Sequence, residues 1–189
     1  MTVALQWIIA ITAILAPTLH LLSDVLEWNS GGFSHMQLLI NYVGFLPIPF
    51  LLFGLYAYQR PQIGWDGLIG SVLYGIAFIY FAHTTLIAIE GSISNYEMLL
   101  GKLGGVYTFH GGLMVVGGTM FGIASLRAKV LWQGAVSLFM VGIILNFGVA
   151  LLPLPDILQI LGSSVRNLGL IAMGVSIIRK SVVLPQSLT

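Results

Sequence analysis

The sequence predicts an all-α membrane protein: a bundle of six transmembrane helices with both termini on one side. Three observations predict it. Hydrophobic residues make up 58% of the 189 positions and charged residues 7%, where a soluble domain carries about 25% charged residues. Six apolar stretches each reach the roughly 20 residues that a helix needs to cross a bilayer. The connections between them are short, which makes consecutive spans antiparallel neighbours. The mean hydropathy of +1.00 agrees. One membrane domain over residues 1–180 and a short tail over 181–189 account for the whole sequence.

The first span runs from Val3 to Leu26. It lacks the basic start of a signal peptide, and its apolar run continues to His20, so it reads as a retained helix. His20, Asp24 and Glu27 stand at i, i+4 and i+7 and share one face. The second span, Phe33 to Tyr58, contains Leu-Pro-Ile-Pro at Leu46–Pro49. Each proline removes a backbone donor and displaces the carbonyl four residues back, those of Val43 and Phe45. An ordinary proline kink is the favoured reading, because proline is common in membrane helices. A broken helix lining a cavity is the functional alternative.

The third span, Gly67 to Ile89, leads into a stripe of Tyr80, His83, Thr84, Ile87 and Glu90. The fourth, Leu103 to Leu126, has glycines at heptad spacing, Gly104, Gly111 and Gly118, with Gly105 and Gly112 beside them. That narrow face suits close helix packing, including an oligomer contact, or the flat side of a cofactor. Tyr107, His110, Gly111 and Met114 line up on the same span. The fifth span, Val130 to Leu152, carries Asn146 and stops at Leu-Pro-Leu-Pro, Leu152–Pro155. The sixth, Ile157 to Ile178, carries Ser163, Arg166 and Asn167.

Let side B be the side that holds both termini. It receives Arg60, Arg127, Lys129, Arg179 and Lys180, and side A has only Lys102 in its loops. The positive-inside rule makes side B cytoplasmic and the protein a multi-pass protein of the cell membrane. The acids Asp24, Glu27, Glu90, Glu97 and Asp156 fall on or near side A, and Asp66 on side B. Acids carry little weight in orientation. Trp7, Tyr58, Trp65 and Trp132 near side B, with Trp28 and Tyr96 near side A, form aromatic belts that agree.

Counting from the span ends places His20, His83, His110 and Arg166 at one depth, about two turns from side A, or about 10 Å below that surface. His35 is shallower and Asn146 lies near the side A end. Ionisable side chains in lipid cost at least ~2.5 kcal/mol each, so these faces are expected to turn inward and pair. For any one histidine, interhelical hydrogen bonding is an even alternative. Arg166 has a structural ion pair with Asp24 or Glu90 as an equal alternative to a ligand role.

Four functions follow from this layer. The leading one is a b-type haem in an electron-transfer protein, with His83 and His110 as axial ligands, His20 as substitute, and Arg166 on a propionate. A quinol or another lipophilic molecule would be its redox partner. The second is a metal-dependent enzyme on a lipophilic substrate. His20, His83, His110 and Asp24 would hold Zn or Fe, with Glu90 or Glu27 as general base and Asp24 alternatively orienting a histidine. The third is a proton-coupled transporter of small solutes, ranked lower because the side B half holds almost no ionisable group. The fourth is an assembly subunit. A net charge of +1 gives no support for nucleic-acid binding. The absence of cysteine excludes disulfides, thiolate-held clusters and cysteine nucleophiles.

Overall fold

The computed structural model describes residues 1–151 and 156–183, and these are helical throughout apart from short connections, with no strand among them. The segments are α1 (Val3–Ser30), α2 (His35–Phe45), α3 (Ile48–Tyr58), α4 (Trp65–Glu90), α5 (Tyr96–Leu103), α6 (Gly105–Ala128), α7 (Gln133–Leu151) and α8 (Asp156–Val183). Five helices are long and apolar enough to cross a membrane, with α2 and α3 together forming the one from His35 to Gln59. The apolar part of α7, Gln133–Gly148, is shorter. The Leu-Pro-Leu-Pro stop, the Asp156 side chain and residues 184–189 of the tail lie outside the described residues.

Local chemistry sets the ends. Thr2 caps α1 by accepting from the Leu5 amide, and Gly31 closes it in the left-handed region, at φ 66°. The prolines break the second span where expected, between Phe45 and Ile48. Leu46 N–H still reaches Tyr42 O at 3.2 Å, and Leu51 N–H reaches Pro47 O at 2.9 Å. Ile48, Leu51, Leu52 and Leu55 beyond the break are buried, so it sits in packed core and behaves as a kink. The sequence predicts one helix starting at Leu103. Instead Asn95 caps a short separate helix, α5, through the Met98 amide at 2.9 Å. Gly104, at φ 56°, then turns the chain before α6 begins.

In the bundle α1 packs on α2 and α8, α8 on α7, α4 on α3 and α6, and α6 on α7. Tyr74, Phe78, Phe121 and Phe139 are fully buried at the centre. The α4–α6 seam is closed by glycine: a Cβ on Gly70 would stand 2.8 Å from Gly117 O, so only hydrogen fits. Large apolar side chains such as Phe50, Trp65 and Phe109 point outward, as they do on a surface that meets lipid.

Candidate functional site

The site starts from a helix period. His20 and Asp24 are one turn apart on α1, and both are buried. Ser163 and Arg166, three apart on α8, occupy the facing stripe, where Arg166 is 3% exposed. Gly142 of α7 lets the Arg166 backbone come close, since a Cβ there would collide with it. From α6 Met114 reaches in, and from α4 Phe78.

The contacts define the protons. Arg166 Nη2 lies 3.3 Å from His20 Nδ1. Arginine offers only donors, so Nδ1 accepts and the imidazole proton resides on Nε2. That Nε2 faces Asp24 Oδ1 at 3.6 Å. The other carboxylate oxygen, Oδ2, accepts from Ser163 Oγ at 2.5 Å, the short length of a charge-assisted bond. Arg166 Nη1 donates to Met114 Sδ at 3.1 Å, a weak acceptor. Its guanidinium carbon stands 5.6 Å from the Phe78 ring centre. Phe45 meets the His20 ring edge-on at 4.7 Å.

Two features stand out electrostatically. Within the cluster Asp24 faces His20 and not Arg166, and at the surface Arg127 pairs with Asp66. The Arg166 Nε is buried without a partner, as are Tyr74 OH, Asn41 Oδ1, Asn146 Oδ1 and Asn167 Nδ2. Buried polar groups are normally satisfied. A cation this deep holding a thioether, an imidazole and an empty donor is incompletely coordinated.

Towards side A the cluster continues as a network of amide, hydroxyl and carboxylate groups. Gln37 Nε2 donates to Ser23 Oγ at 2.9 Å and to Glu27 Oε2 at 3.4 Å. Tyr96, outside the spans, is held well above the usual phenol range by burial and then by the Tyr107, Glu27 and Asp24 charges, against the pull of Arg166. It therefore stays a donor.

His83 and Glu90 do not join the cluster; both are exposed. Helix α4 buries Phe81, Ala82, Thr84, Thr85 and Ala88 instead. Its period puts His83 and Glu90 on one outward stripe with Ile76 and Ile79. The expectation of an inward stripe is corrected for His83 and Glu90, while Thr84 of the same stripe is buried: aromatic and threonine side chains fill the core better than charged ones. His35 is exposed as well. His110 is half-buried, stacked on Tyr80 at 3.6 Å, with Nδ1 2.8 Å from Val106 O. No group of three or more His, Cys, Asp or Glu side chains able to hold a metal comes together among the described residues. Of the set His20, His83, His110 and Asp24, only His20 and Asp24 are paired.

Sequence reasoning passed over Phe78, Tyr74, Gln37 and Asn41. Gln37 and Asn41 are one turn apart on α2 and both buried, so their spacing was a usable signal. Phe78 and Tyr74 gave none, being two aromatics in an apolar run. No protein-family model, curated protein or solved structure matches the chain.

Proposed function

We propose that this chain is a six-span membrane protein, α7 included, that binds the anionic head of a lipophilic small molecule at Arg166. Side B is cytoplasmic in this reading, by its lysines and arginines, and the site opens towards the other leaflet. The observation that carries it is the guanidinium itself, 3% exposed, with Nε unpartnered among the described residues and Asp24 turned to His20 and Ser163 instead. A planar fork of donors matches a two-oxygen anion such as a carboxylate or sulfonate. Met114 is the movable wall, because its thioether is flexible and its bond to Arg166 is weak. One turn away, a Cβ on Gly111 would meet nothing among the described residues.

The test uses decane-1-sulfonate, whose head stays ionised at every working pH, and decanol as neutral control. Protein in nanodiscs of neutral lipid should bind the sulfonate saturably, ignore decanol, and lose sulfonate binding in Arg166→Gln. Equal uptake by the native protein and Arg166→Gln would reject the site. Orientation is tested separately. The chain has no cysteine, so Ser94→Cys should react with an impermeant maleimide from outside intact cells and Gln62→Cys should not.

A b-type haem is the second reading, favoured by one observation. His110 gives its Nδ1 proton to Val106 O, which leaves Nε2 with the free lone pair that a metal takes. His83 and His110 sit on helices that pack together, α4 and α6. A Soret band that shifts on dithionite reduction and vanishes in His110→Ala would establish it, and a colourless native protein would remove it.

A further inference from the structure

We infer that anion binding at Arg166 draws one proton into the His20–Asp24 pair, so that the site takes up its ligand as the equivalent of a neutral acid. This rests on the anion reading above and deepens it.

Charge has to balance in so buried a site. As it stands the cluster holds one cation, Arg166, and one anion, Asp24, with a neutral imidazole between them. An incoming anion would leave a net negative charge among groups no more than 8% exposed. Uncompensated charge at such depth is expensive, and buried groups change protonation instead. The hydrogen bonds supply the receiver. When Arg166 Nη2 turns to the ligand, His20 Nδ1 loses its donor and becomes the strongest unoccupied base in the cluster. A proton arriving there gives an imidazolium. Nδ1–H then faces the ligand, and Nε2–H still faces Asp24 Oδ1. Passing the Nε2 proton on gives a neutral Asp24 acid and the opposite imidazole tautomer. Both forms carry the same single extra proton, which belongs to the pair. The balance is closed: the site, one anion and one proton give a neutral complex, and no bond to carbon changes.

Ionisable groups surround the pair on several elements. On α1 there is Glu27, on α8 Arg166. Tyr96 of α5 lies in the field of Asp24, Glu27 and Arg166. Tyr107 of α6 lies in that of Glu27 and Arg166, and Tyr74 of α4 in that of Arg166. Helix α2 sets the Phe45 ring against His20, buries the amides of Gln37 and Asn41, and carries the half-buried Tyr42 and the exposed His35. Glu27 already accepts from Gln37, so the pair is the receiver with a vacated hydrogen bond.

The experiment is calorimetric titration of the nanodisc-held protein with decane-1-sulfonate at pH 7, in phosphate and again in Tris. The difference in heat between the two buffers counts protons. Native protein should take up one proton per sulfonate bound. Asp24→Asn should bind sulfonate with uptake near zero, because Arg166 alone then balances the ligand. Should Asp24→Asn not fold, the native Kd serves instead, rising tenfold per pH unit on the alkaline side. Sulfonate binding with no proton uptake and a flat Kd would overturn the coupling and leave the anion site standing. No sulfonate binding by native protein would overturn both.

Discussion

The Gln59–Ser125 contact towards side B and the Arg166–His20–Asp24 cluster towards side A invite comparison. Both are buried, and both join helices far apart in the chain. Gln59 Nε2 donates to Ser125 Oγ at 3.0 Å and to Leu55 O at 3.2 Å. Each group there is neutral, so the contact can be lost without stranding a charge. Both leave one buried atom without a partner among the described residues, Gln59 Oε1 and Arg166 Nε, but in the other cluster that atom belongs to a cation, which meets its acid only through a histidine. The first fits interhelical glue, and the second is more than a packing device needs.

The sharpest break of that comparison is Arg166→Gln. It leaves Asp24 as a buried unbalanced charge and should cost about 3 kcal/mol, together with all sulfonate binding. Adding Asp24→Asn should restore more than half of the loss, which a double-mutant cycle by chemical denaturation in mixed micelles would read. If the double variant is worse than the single one, charge balance is not what the cluster supplies. Next comes Gly142→Leu, which forces a side chain onto the Arg166 backbone. Overpacking of this kind costs about 1–3 kcal/mol, and by tilting α8 the change should weaken sulfonate binding severalfold. Ser125→Ala, in the neutral contact, should cost about 0.6–2 kcal/mol and leave sulfonate affinity unchanged, a joint outcome that separates glue from site. Smallest is Arg127→Ala at the surface. Its pair with Asp66 has side chains 67% and 38% exposed, so about 0–1 kcal/mol is expected, with no effect on binding.

The sequence carried the helices well because apolar runs are long and their ends chemically marked. It missed α5, Tyr96–Leu103, which fell in the connection before the fourth span because hydropathy alone does not mark so short and polar a helix. In the site it carried the depth and part of the membership. His20 and Asp24 were legible because a period of about 3.6 residues ties them to one face, and Arg166 because a charge in a span has to turn inward. His83 was misplaced for a reason of the same kind. Depth follows from counting, but facing depends on what else competes for the core, and Phe81, Ala82, Thr84 and Thr85 took that side of α4. The glycines of α6 divide likewise. Gly118 meets α4 and α7, while Gly111, one heptad earlier in the same series, meets nothing described.

The partners in the cluster are separated by 146 residues, His20 from Arg166, and by 139, Asp24 from Ser163. A ribosome adds about 5–20 residues per second, so α1 is in place on the order of ten seconds before α8 is made. During that interval the aspartate on α1 has neither its serine nor the arginine's charge. The newborn α1 is thus a helix with an acid in its apolar length, better held in the insertion machinery than released to lipid. Arrival of α8 ends that wait. The contact between α1 and α8 is thus among the last to form: a chain cut short before Ser163 leaves Asp24 without the hydroxyl that α8 supplies.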